Sequence, residues 1–137
     1  RHWLQDLQPH PPSHSDALAY AEFLSEITGT SLRLPTAEEW RTAARAGVTN
    51  AEFPWGFGPS RPDDILFGLD QIPEKPGPAF GYGFRDLAGG VWEWTQEGIL
   101  LGSAWSEQNP GTLRIDHEWL PPETYRGKDV GLRLVWE

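Results

Sequence analysis

Two stretches of the chain repeat apolar residues at helical spacing, and elsewhere no period survives for more than a few residues. In SHSDALAYAEFLSEITG, residues 13–29, Ala17, Ala21, Leu24 and Ile27 fall on one stripe. Ser13 and Asp16 stand in the capping-box relation, and Gly29 supplies a stop. In LRLPTAEEWRTAARAG, residues 32–47, Pro35 bars helix upstream and Thr36 with Glu39 forms a second capping box. Trp40, Ala43 and Ala44 make the apolar face, and Gly47 ends the run. Two short amphipathic helices are predicted.

From residue 48 to 83 the fragments FPWG, GPSRPDD and IPEKPGPAFGYG mix Pro and Gly too densely for regular structure, which predicts a long shaped loop with Trp55 packed beneath it. Strand-like fragments follow: VWEWT, ILLGSAW, TLRID and GLRLVWE, separated by Gly, Asn and Pro turns. In DLAGGVWEW the alternation after the paired glycines puts Trp92 and Trp94 on one face of a strand, both expected in the core, and Glu93 on the other. Glu93 either binds backbone amides in the loop layer, the reading we favour, or is solvated.

Composition narrows the class. The 137 residues fit one domain spanning 1–137, and eight Trp with six Phe concentrate the apolar area in few side chains. Thirteen Pro and fifteen Gly keep helices and strands short. The expected fold is α+β and loop-rich, with two short helices against a small, twisted, mainly antiparallel sheet. A net charge of −9 opposes attraction to nucleic acid or to an anionic membrane surface. With no cysteine there is neither disulfide nor thiolate chemistry, which favours a cytoplasmic setting. No apolar run suits a membrane span, and RHWLQDLQPH lacks the features of a secretory signal. The chain opens on Arg1, so we expect the C-terminal part of a longer protein, joined to further domains. The lack of Met and Cys suits a thermophilic bacterium.

LRLPTAEEWRTAARAG, FPWG, FGYGFRDLAGGVWEW, GSAW and GLRLV occur in the order typical of the formylglycine-generating enzyme and sulfatase-modifying-factor family, which the chain resembles from about Ser15 to Val135. The resemblance implies a variant of the C-type lectin fold. It also implies an oxidase that holds copper between two cysteines after a GGSW-like block. Here that segment reads GSAWSEQNPGTLRIDHEW, and without thiols that reaction is excluded. The family places Asn where this chain has Gly90, in a loop that often holds calcium. Gly90 offers only a carbonyl where calcium wants six to eight oxygens. Neither metal nor other cofactor is therefore expected.

A second branch of the family, the sulfoxide synthases, binds iron through three histidines of an upstream bundle. The histidines here are His2, His10, His14 and His117, and prolines break the stretch between His10 and His14, so those two do not share a helical face. SHSD has the letters of a triad but reads as helix capping. Glu38 and Glu39 suit a helix N-terminus, and Asp63 and Asp64 a solvated loop. No catalytic residue is assigned.

The variable proteins of diversity-generating retroelements also resemble this family, and display changeable residues between the GSW-like block and the terminal GFR-like strand. Residues 103–135 have that layout, with Gly131, Leu132 and Arg133 in the last position. The resemblance implies a binding module for a protein or small molecule, contacting it through Ser106, Gln108, Asn109, His117, Trp119 and Tyr125. Trp119 either reaches the surface or closes the core beneath the loops. As surface residues, Ser106, Gln108, Asn109, His117 and Tyr125 should each cost less than about 1 kcal/mol on replacement by alanine. The competing expectation is the substrate-binding half of a metal-dependent oxidase, with its catalytic residues on another segment.

Overall fold

The computed structural model describes residues 2–6, 11–58, 65–74, 76–77, 79–80, 84–85 and 87–137. Helix α1 spans His14–Thr28 and α2 spans Ala37–Arg45. Both capping boxes form. The Ser13 hydroxyl accepts from Asp16 N–H at 3.2 Å while the Asp16 carboxylate accepts from Ser13 N–H, and Thr36 and Glu39 repeat the exchange. Gly29 closes α1 in the left-handed conformation at φ 71°. Helix α2 ends one residue earlier than predicted: Ala46 itself turns left-handed at φ 50°, ahead of Gly47 at 81°.

Strands β1 (His2–Asp6), β4 (Trp92–Trp94), β5 (Leu100–Leu101) and β6 (Val130–Trp136) form a sheet in the order β1-β6-β4-β5. The short β2 (Ala79–Phe80) and β3 (Phe84–Arg85) pair separately. The pairings are antiparallel except between β4 and β6, where Trp92 faces Val130 and Trp94 faces Leu132 in parallel. Ala17 and Ala21 of α1 pack on Trp92, Trp94, Leu100, Leu132 and Leu134. Trp40, Ala37 and Ala44 of α2 pack with Leu87, Leu101 and Ile115. Under the long loop, Trp55 stacks on Phe53 at 4.5 Å beside Ile65 and Phe67. The α+β arrangement and the burial of Trp40, Trp92 and Trp94 are as expected.

Three expectations are corrected. Ile27 shares the apolar stripe of α1 in sequence, yet it lies in the last turn with 62% of its surface exposed, and the small Ala17 and Ala21 make the buried contact. TLRID, strand-like in sequence, forms no strand. Instead Pro110–Leu113 is a 3₁₀ turn, since Pro110 has no N–H to give a sheet and the Asn109 carboxamide accepts from Gly111 N–H at 2.9 Å. Glu93 neither meets backbone amides nor water. It is fully buried, its Oε1 accepting from Arg133 Nε at 2.8 Å and Trp40 Nε1 at 3.0 Å, and its Oε2 from Arg133 Nη2 at 2.8 Å. The sheet register explains this, because Glu93 faces Gly131 and the guanidinium two residues on reaches back to it.

Candidate functional site

The surface after β5 is built on Trp92. Its ring, buried in the core, is met by Trp119 at 5.4 Å and by His117 at 5.9 Å, and Tyr125 meets Trp119 edge-on at 4.8 Å. Trp119 is fixed by its backbone: its carbonyl accepts from Leu100 N–H at 2.8 Å and its own N–H donates back at 3.1 Å. A second layer is polar. Ser106 Oγ donates to Asp129 Oδ2 at 2.6 Å, and Trp92 Nε1 donates to Glu107 Oε1 at 3.3 Å. Burial, then the Asp129 carboxylate, then the Glu107 charge, raise the pKa of the Tyr125 phenol.

Three of the six candidate side chains thus join one aromatic cluster, His117, Trp119 and Tyr125, and a fourth, Ser106, is tied to Asp129 beside it; all four are half-buried. Trp119 packs against the core and is half-buried. The other two stand apart. Asn109 caps the 3₁₀ turn, and Gln108 is exposed with its amide near Gly68. Sequence reasoning missed Glu107, within the candidate segment, and Asp129, just beyond it, neither of which stands out from other acidic residues. It also missed Gly127, where a Cβ would fall 2.6 Å from the Tyr125 hydroxyl and 2.7 Å from Asp129 Oδ1. A glycine between turn residues carries no signal of a side chain folding over it.

These contacts divide the alanine series that the sequence treats as uniform. Gln108→Ala is expected to change stability by less than about 0.5 kcal/mol. Asn109→Ala should cost about 1 kcal/mol as a lost cap, and Ser106→Ala about 1.5 kcal/mol as a lost hydrogen bond to a carboxylate. Urea unfolding of the three variants checks the order. A Gln108 variant as damaging as the Ser106 variant would show that the Gln108 contact near Gly68 is structural.

The other candidates resolve into structural roles. His14 is half-buried, its Nε2 3.0 Å from the Thr95 carbonyl and its ring 5.3 Å from Trp94. Asp16 pairs with Arg126 at 2.7 Å, Glu39 with Arg33 at 2.6 Å, and Glu38 is exposed. His10, Asp63 and Asp64 lie outside the described residues. Among the described residues no three His, Asp or Glu side chains group as metal ligands, and the Gly90 carbonyl accepts from Trp105 N–H at 2.7 Å. Copper held between thiolates does not fit a chain with no cysteine. No described helix is long and apolar enough to cross a membrane.

Helices of this kind on a small mixed sheet, with an aromatic surface between the last two framework strands, define a domain of the sulfatase-modifying type. Residues 6–137 match the sulfatase-modifying factor enzyme 1-like domain, and the chain belongs to that family. It is 32% identical over 124 residues to the inactive C-alpha-formylglycine-generating enzyme 2 of Bos taurus, covering 73% of this chain and 39% of that protein. It is 33% identical over 133 residues to the formylglycine-generating enzyme of Thermomonospora curvata, covering 82% of this chain and 41% of the other. The chain therefore spans about two fifths of the length of these relatives. Among solved structures, Treponema denticola variable protein 1 superposes with a TM-score of 0.77 at 17% identity, over 91% of this chain and 69% of that one. PvdO from Pseudomonas aeruginosa superposes with a TM-score of 0.73 at 23% identity, over 93% and 61%. At those identities the two structures establish the fold alone, a C-type lectin-like domain of the formylglycine-generating type.

Proposed function

We propose that the chain is a non-catalytic binding module that uses this scaffold to present the segment from Ser106 to Tyr125 to a protein or small-molecule ligand. The observation carrying the reading is a half-buried cluster in a chain without any thiol: His117 and Trp119 rest on Trp92, Tyr125 on Trp119, and Ser106 is tied to Asp129 beside them. Rigid aromatic side chains at a surface supply contact area at low entropic cost. A partner is recognised through this face, and the net charge of −9 makes nucleic acid and anionic membranes poor candidates. The likeness to a variable protein of Treponema denticola supports display of changeable residues in the same segment. We also infer a cytoplasmic, bacterial setting from the cysteine-free composition.

A second reading has its own support, since several relatives are named formylglycine-generating enzymes and the chain covers only part of each. In it this domain is the substrate-binding half of an oxidase whose metal ligands lie on another segment. Metal content separates the two for this chain. Purified without added metal, it should hold copper and iron well below one equivalent by elemental analysis. Either metal near one equivalent would overturn the binding-module reading. Sequencing the gene's surroundings tests the narrower part: an adjacent reverse transcriptase with a template repeat supports diversification, and their absence removes it.

A further inference from the structure

The aromatic face of this segment is bordered by carboxylates that the fold leaves without a counter-charge. Among the described residues, the Glu107 side chain accepts only the neutral Trp92 indole N–H, and the Asp129 side chain only the Ser106 hydroxyl. Neither forms an ion pair with a described residue. The nearest cations in sequence are committed elsewhere or turned to solvent: Arg126 pairs with Asp16 at 2.7 Å, Arg114 with Glu52 at 3.0 Å and with Asp116 at 3.2 Å, and Lys128 is exposed with no carboxylate partner among the described residues. Glu107 is held on the Trp92 indole, whose ring meets Trp119, and Asp129 Oδ1 and the Tyr125 hydroxyl both border Gly127, so both carboxylates border the Trp119–Tyr125 pair.

Half-buried rings beside two uncompensated carboxylates match a cation on an apolar stem. Such a group gains from the ring faces and from the carboxylates together, while its methylenes cover the apolar surface. A compact ammonium with three donors can serve two separate carboxylates at once, whereas the planar guanidinium fork fits a single carboxylate side-on. Leu120, next to Trp119, is 71% exposed, and its backbone is held between the paired Trp119 and the buried Pro121. It adds an apolar rim at fixed position, as suits a polypeptide more than a free amine.

Building on the binding-module reading, we propose that this face takes a lysine side chain, flanked by apolar residues, from a polypeptide partner. The alkyl stem lies along Trp119 and Tyr125, and the ammonium sits between Glu107 and Asp129. The test is an NMR titration of the whole chain, following the Trp119 indole N–H, with acetyl-Leu-Lys-Leu-amide, the same peptide carrying norleucine, and n-butylammonium. A saturable shift is expected with the lysine peptide, about tenfold weaker with norleucine, which keeps the stem and loses the charge. Glu107→Gln keeps an oxygen for the Trp92 N–H and should weaken the lysine peptide about fivefold at low salt. No saturable shift, equal binding of the norleucine peptide, or an unchanged Glu107→Gln variant would each overturn the assignment. Binding of n-butylammonium as tight as the peptide would overturn its polypeptide part. Metal content tests the binding-module reading separately, so a metal-free chain that gives a silent titration loses only the lysine assignment.

Discussion

Replacing Glu93 by glutamine is expected to lower the unfolding free energy by about 3–5 kcal/mol, the usual cost of removing one partner from a buried ion pair. The Arg133 side chain is 4% exposed and pairs with the fully buried Glu93 at 2.8 Å. Its Nη2 also donates to the Arg85 carbonyl at 2.6 Å, which fixes the guanidinium but does not neutralise it. Glutamine keeps the shape and an acceptor for the Trp40 indole, so the loss isolates the charge rather than a cavity. The control is the double variant Glu93→Gln with Arg133→Met, which removes the stranded cation and should recover about half of the loss. Urea unfolding measures both. A single-variant loss below about 1 kcal/mol would mean that water reaches the guanidinium, and the pair would then not hold the sheet to α2.

That pair marks where reading the sequence stopped short. The alternation in VWEWT correctly separates Glu93 from Trp92 and Trp94, but alternation says only that Glu93 faces the other way. Whether the far face is water or a second core depends on α2, more than fifty positions earlier, which lays Trp40 over it. Local signals fared better where the chemistry is local. Ser13 with Asp16 and Thr36 with Glu39 are complete statements of a helix start within four residues, and both form. TLRID shows the opposite case. Its β-branched residues suggest a strand, yet Asn109 and Pro110 just upstream commit the backbone to a 3₁₀ turn, and turn chemistry prevails over propensity.

The candidate site was legible to the same limited degree. The segment could be placed between two framework blocks, and its aromatic residues recognised, because both are properties of the linear order. The partition within it was not legible. Ser106 is tied to Asp129, twenty-three positions away, while Gln108 two residues on is exposed, and nothing in the residue types distinguishes the two. Long-range hydrogen bonds of this kind are set by β6, whose first residue follows Asp129. The framework strand thus positions one carboxylate of the site, and the binding face inherits its geometry from the core.

Trp92 is where that dependence should be largest, and Trp92→Ala is expected to cost about 3–5 kcal/mol. The indole is buried among Ala17, Trp94 and Leu132, and burying roughly 150–250 Å² of ring is worth about 4–6 kcal/mol before entropy is subtracted. Removing it leaves a cavity bordered by fixed strands: Trp92 N–H is tied to the Asp129 carbonyl at 2.7 Å, so the backbone has little freedom to collapse inward. The same ring supports Trp119 and His117 and donates to Glu107, so the damage extends into the candidate surface. Trp92→Phe separates the two effects. It keeps much of the apolar volume and loses the indole N–H, and should cost about 1–2 kcal/mol while still displacing Glu107. Urea unfolding gives the stabilities, and the Trp119 indole N–H resonance reports the surface. In the phenylalanine variant that resonance should move although the fold persists. If Trp92→Ala costs less than about 1.5 kcal/mol, or if the resonance stays unmoved in both variants, the surface does not rest on this ring, and its geometry must come from the Leu100–Trp119 pairing alone.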